Sequence, residues 1–186
     1  KLRYTNHSVE TIGSYELVHA IGWTNVMTTY LARDVQQKHS TGLVVVQVVR
    51  PYLVEDDSFR HSLLVEVSKW LNVQHPNVAR VFDVVYDQQS NTLAIVKEFV
   101  DGTMLANCIP DGGYPVDRVL SLLDGITSAL DCLISSEIVS FEISPVDIVV
   151  DSENNPILTG FEIGRIPLPE SYMSAMMTGE PTLLET

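Results

Sequence analysis

The 186-residue sequence carries 24 acidic against 11 basic side chains, a formal net charge of −13, and that field argues against nucleic acid as a partner. Hydrophobic residues make up 45% with no low-complexity run, enough to fill one core or two small lobes, and no apolar stretch approaches the roughly 20 residues of a membrane span. Two cysteines, Cys108 and Cys132, and five scattered histidines show neither metal-ligand spacing nor a disulfide framework. Reduced thiols, a cytoplasmic setting and no metal are expected.

Residues 1–13 are polar and read as a leader or linker. A strand-like run from Tyr15 to Ile21 ends at Gly22, and a second, Thr28 to Arg33, follows a short polar turn as in a hairpin. Gln37 to Gly42 is a turn cluster, after which the valine-rich run Leu43 to Val49 predicts a third, buried strand that stops at Arg50-Pro51. The period then changes. Asp56-Asp57-Ser58 supplies helix-start chemistry, and Phe59, Leu63, Val67 and Trp70-Leu71 recur at helical spacing until His75-Pro76-Asn77. Two more strands are expected at Val78 to Tyr86 and Leu93 to Val100, with Asp101-Gly102 breaking the pattern.

Pro115 opens a long amphipathic helix to about Ser135, with apolar positions Val119, Leu122, Leu123, Ile126, Ala129, Leu130 and Leu133. Val146 to Val150 and Pro156 to Thr159 predict a last hairpin, and Pro167 to Thr186 has no clear period. The order implies one bilobed α+β domain. Its first lobe covers 14–101 as a five-stranded sheet with one helix, its second is a partial helical lobe over 102–166, and an irregular tail follows over 167–186.

Specific residues in that order resemble a bacterial Ser/Thr protein kinase. They are Tyr15-Glu16-Leu17 with Ile21-Gly22, Tyr30-Leu31-Ala32-Arg33-Asp34, Val48-Val49-Arg50-Pro51, and Leu71 with His75-Pro76-Asn77-Val78. Further on come Glu98-Phe99-Val100-Asp101-Gly102, Ser144-Pro145-Val146-Asp147-Ile148 and Thr159-Gly160-Phe161-Glu162-Ile163-Gly164-Arg165. The resemblance implies a protein-kinase-like fold over roughly Ser14 to Arg165, with an incomplete second lobe: by the family pattern a full one continues well beyond Thr186.

The departures from the family's motifs fall on its chemical positions. Of the Gly-rich loop only Gly22 remains, and the side chains of Thr24 and Met27 are expected to obstruct the close backbone approach that glycine permits. Gln47 stands where the third-strand lysine belongs, with Val45 two residues before it, and Glu66 matches the helical glutamate that would pair with that lysine. The H-R-D loop reads Ser140-Phe141-Glu142, its lysine becomes Ser144 and its magnesium-binding asparagine Asp147. The D-F-G motif reads Gly160-Phe161-Glu162.

Together these substitutions remove the electrostatic devices of phosphoryl transfer. The resulting expectation is a pseudokinase: not an enzyme, with no cofactor, whose cleft offers a triphosphate no cation, no metal ligand set and no open cradle. Lys97, at the gatekeeper position, is expected to reach Glu66 in place of the missing lysine. The function expected is a protein-interaction scaffold or allosteric regulator in signalling, with a nucleotide-binding sensor as the alternative. Partners would be an active kinase, a phosphothreonine reader or a larger complex covering the partial lobe. The setting would be cytoplasmic, or the cytosolic domain of a membrane-associated protein. Without the rest of that lobe, Leu122, Ile126, Leu130 and Leu133 would be only partly covered.

Overall fold

Runs of valine and isoleucine form strands where both faces can be buried. The computed structural model, which describes residues 10–39, 42–88, 90–138, 143–160, 166 and 168–169, builds six of them into one sheet. These are β1 (Thr11–Ile12), β2 (Tyr15–Trp23), β3 (Met27–Asp34), β4 (Leu43–Val49), β5 (Val81–Asp87) and β6 (Thr92–Glu98), in spatial order β1-β2-β3-β4-β6-β5. Every neighbouring pair is antiparallel.

The five expected strands are therefore six. Gly13, in the left-handed region at φ +58°, turns the stretch read as a leader back onto β2, where the Leu17 amide donates to the Glu10 carbonyl at 2.9 Å. The strand predicted from Val78 also starts later, at Val81. Ala79 sends its amide to Leu158 in the second lobe at 2.9 Å instead of along the sheet.

After β4 come a one-turn helix, α1 (Pro51–Val54), and α2 (Asp57–Trp70). Asp56 caps α2 by accepting the Phe59 amide at 2.7 Å. The helical-period residues Phe59, Leu63, Val67 and Trp70 are all buried, in one cluster with Met27, Val49, Leu93 and Ile95 of the sheet. Val44, Val46, Ala94 and Val96 fill a second cluster with Tyr15 and Ala32. Alternation along β4 and β6 thus sends odd-numbered positions toward α2 and even-numbered ones to the opposite face.

The second lobe holds a small sheet of order β7-β8-β9, from Gly102–Met104, Ile148–Asp151 and Pro156–Leu158. A short helix α3 (Leu105–Cys108) and the long α4 (Val116–Ser135) lie between β7 and a 3₁₀ turn at Pro145–Asp147. The long helix and the last hairpin follow the sequence closely, whereas α1, α3 and β7 are too short to carry a readable period.

α4 rests on the β8–β9 hairpin at Gly125, where an added Cβ would stand 2.7 Å from Pro156 Cγ. Leu122, Ala129 and Leu133 are buried, and Ile126 and Leu130 pack partly against the same core. The expected incomplete cover of Leu122 and Leu133 is thus corrected. The exposed apolar stripe lies instead at Val116, Val119, Leu120, Leu123 and Ile134. Asn77 joins the lobes, its side-chain amide donating to the Pro156 carbonyl and its own carbonyl accepting the Leu158 amide, both at 2.8 Å.

Two packing details give measurable consequences. A Cβ at Gly102 would lie 2.3 Å from the Val150 carbonyl oxygen, a backbone atom that cannot step aside. Gly102→Ala should cost about 1–3 kcal/mol in denaturant unfolding. Tyr15 is fully buried and its hydroxyl meets Asp83 Oδ2 and His39 Nε2, each at 3.3 Å. Burial foremost, and then the Asp83 charge, push its phenol from the ordinary 10.0 up to about 12. A raised acid pKa stabilises the fold fully below the unfolded value, and the contribution is lost as pH climbs from about 10 to about 12. Tyr15→Phe should remove that alkaline phase from a stability–pH curve.

Candidate functional site

A cleft of about 310 Å³ lies between the two lobes. Its roof comes from Ile21 and Gly22 on β2, Thr29 on β3 and Val45 and Gln47 on β4, and its back from Lys97 on β6. The connecting segment adds Phe99 and Val100, and Asp147, Val149, Thr159 and Gly160 form the floor. Register explains the membership: Val45 pairs with Lys97 and Gln47 with Ile95, so Val45, Gln47 and Lys97 project from the same face of the sheet.

Lys97 is 3% exposed and its Nζ donates to the Thr159 carbonyl. Thr159 in turn gives its amide to the Asp147 carbonyl at 2.7 Å and its hydroxyl to the same oxygen at 3.1 Å. Asp147 Oδ2 accepts the Ser144 amide at 2.8 Å and the Ser144 hydroxyl at 3.0 Å, closing a capping box on the 3₁₀ turn. A chain of bonds therefore runs from the first lobe's β6 to the second lobe's Ser144. Gly160 sits tightly against it, since a Cβ there would lie 2.4 Å from Asp147 Oδ1.

Two expectations about charge are corrected. Glu66 takes the Lys69 ammonium, one turn along α2, at 2.9 Å, and no Glu66–Lys97 ion pair occurs among the described residues. The neighbour on the same helix needs no reach across the cleft, whereas Lys97 is captured by the nearer Thr159 carbonyl. The cleft also does contain a cation: β6 alternation puts the Lys97 ammonium into its wall. That was legible from the parity of residues 93 to 97. The Thr159 carbonyl that receives it carried no sequence signal, because a backbone acceptor is invisible in side-chain identity.

The loop residues fall elsewhere than expected. Met27 is buried in the core beneath the sheet. The Thr24 hydroxyl accepts the Met27 amide at 3.1 Å and the Val26 amide at 3.2 Å, so it is spent closing its own turn. Neither side chain lines the cleft, and the obstruction expected of them is corrected. Gln47 does line it, and its Oε1 is buried without a hydrogen-bond partner among the described residues. Ser140, Phe141, Glu142, Phe161 and Glu162 lie outside the described residues. The described cleft is lined mainly by apolar side chains, with Gln47, Lys97, Glu98 and Asp147 as its amide and charged groups.

No family model matches the chain. It is similar to serine/threonine-protein kinase PrkC of Bacillus subtilis, 26% identical over 153 residues, which covers 81% of this chain and 23% of that protein. Serine/threonine-protein kinase PknB of Mycobacterium leprae is 27% identical over 157 residues, covering 81% and 24%. Mouse serine/threonine-protein kinase Nek2 is 26% identical over 180 residues, covering 91% and 40%. Among solved structures, the Mycobacterium tuberculosis PknI kinase domain superposes with a TM-score of 0.68 at 24% identity, over 91% of this chain and 68% of that one.

The chain thus has the protein-kinase fold and is homologous to bacterial Ser/Thr protein kinases, while spanning about a quarter of the length of the bacterial relatives it matches. These relatives correct the expectation that the chain is not an enzyme. The proteins to which it is homologous are named as kinases, and substituted motif positions do not by themselves exclude that activity.

The floor of the cleft can be tested directly. Gly160→Ala should destabilise by about 1–3 kcal/mol through overpacking against Asp147. Adding Asp147→Ser should recover part of that loss, a non-additivity that a double-mutant cycle in chemical denaturation reads out.

Proposed function

We propose that this kinase-homologous module works in signalling through protein contacts, as a scaffold or an allosteric regulator. The observation that carries the reading is the outer face of α4. Val116, Val119, Leu120 and Leu123 follow one another at helical spacing, and Val116 and Leu120 are 74% and 60% exposed. A continuous apolar stripe on a surface helix costs hydration that a partner's apolar surface would recover. The chain's charge of −13 restricts the surroundings of that stripe to partners that are neutral or basic at their rim. An active protein kinase, a phosphothreonine-reading domain and a larger assembly are the partner classes this reading admits.

A second reading, a nucleotide-binding sensor, is favoured by the cleft itself, whose apolar walls suit a flat molecule.

The first reading is tested by placing a photo-reactive amino acid at position 120 in cells and identifying the adducts. One specific protein adduct is expected, and the pair Val116→Glu with Leu123→Glu should abolish it without lowering the melting temperature, since both positions are exposed. Adducts that survive the double substitution would refute the stripe as the contact. The second reading predicts a rise in melting temperature with ATP, about 2.7 kcal/mol of added stability at 100 times the dissociation constant.

A further inference from the structure

We infer that the outer face of α4 docks one α-helix of a partner protein, a helix with an apolar heptad seam and Lys or Arg along one edge. The inference deepens the first reading above by naming the partner's chemistry, and it rests on that reading.

The apolar positions set the kind of partner. Val116, Leu120, Leu123, Thr127, Leu130 and Ile134 follow one another at alternating steps of four and three along α4. That is the a/d spacing by which one helix receives the side chains of another along its length, whereas a strand would match a repeat of two. Val116, Leu120, Leu123 and Ile134 are exposed. Leu130 is half-buried against the molecule's own core, and Thr127, whose hydroxyl donates to the Leu123 carbonyl at 2.8 Å, is the polar member of the row.

The flanks set the partner's charge. At about 100° per residue, Val119 and Ile126 fall on one side of the seam, leading into the buried Leu122 and Leu133. On the other side fall Asp117, Asp124 and Asp131, seven residues apart and all exposed. Among the described residues no ion pair reaches any of the three. Arg118, the helix's own cation, is spent on the Asn154 carbonyl at 2.9 Å. Residues that flank an apolar seam choose partner and orientation by charge. A row of three carboxylates therefore selects cations along the facing edge of the incoming helix, while the opposite edge meets apolar surface.

The same row disfavours two other occupants. In a two-fold, antiparallel pairing of α4 with a second copy of itself, each edge faces its own equivalent, so three carboxylates would meet three. In a parallel pairing each row would be laid on the apolar shoulder of Val119 and Ile126, which desolvates charge without matching it. Residues 166–186 carry Glu170, Glu180 and Glu185 and no Lys or Arg, so the chain's own end brings no cation either.

Fluorescence anisotropy on the full chain with three synthetic helical peptides, each of about three heptads, tests the assignment. The first has leucine at a and d and arginine along one edge, the second has glutamate along that edge, and the third keeps the arginines but has serine at a and d. The first should bind about tenfold more tightly than the second, and the third should not bind. Leu120→Ser with Leu123→Ser should remove binding of the first peptide. Asp124→Lys with Asp131→Lys should reverse the preference between the first and the second, all four positions being exposed and so tolerant of substitution. Equal binding of the arginine and glutamate peptides, equal binding of the leucine and serine peptides, no binding of any, or a preference that survives the lysine substitutions overturns the inference. On the purified chain alone, a photo-reactive residue at position 120 should give no adduct to residues 166–186 or to a second copy, and either adduct assigns the seam to that occupant and overturns the partner helix. A specific cellular adduct from position 120 that persists in the lysine variant overturns the basic edge and leaves the first reading standing, whereas no cellular adduct at all overturns both.

Discussion

The hydrogen bond from Lys97 to the Thr159 carbonyl organises the molecule around the cleft. It crosses from the last residues of β6 to the end of β9, and everything on the floor is strung from its far end. Thr159 holds the Asp147 carbonyl, Asp147 holds Ser144, and Gly160 fits only because it has no side chain. On its near side the bond is possible because β4 and β6 are in a register that puts position 97 on the buried face. A buried ammonium is costly unless it is hydrogen-bonded, so the contact is also a constraint on how far the lobes can separate. Asn77, bonded twice to β9, applies a second constraint on the same side.

Similarity to serine/threonine-protein kinases extends across both lobes, yet the positions at which the motifs differ are spread unevenly through the structure. Gln47, Asp147 and Gly160 face the cleft, whereas Met27 and Thr24 have been absorbed into packing and a turn. A motif position read in sequence is only a slot in an alignment. Its chemical meaning depends on whether the backbone still aims the side chain at the cavity.

Much of the fold was legible because its long elements obey one period each. The helical spacing of Phe59, Leu63, Val67 and Trp70 gave the face of α2, and Leu43–Val49 matched β4 to the residue. Short elements were not legible: β1, α1, α3 and β7 are set by turns and by tertiary bonds that no local pattern encodes. The site was half legible. Gln47, Lys97, Asp147 and Gly160 were picked out, but the pairing of Lys97 was misassigned. Opposite charges on two elements suggest a pair, while the competing partners, an intrahelical lysine and a backbone carbonyl, emerge only once distances exist.

The contact between Gly125 and Pro156 reaches beyond local packing. With no side chain between helix and hairpin, α4 has little freedom to roll about its axis, so the compass bearing of its outward-facing residues is dictated by a proline on the opposite side of the helix. A change in the conformation of that hairpin would therefore re-aim the helix's outer surface like a dial turned from behind, and a mutation at Pro156 would be felt by whatever docks there without touching it.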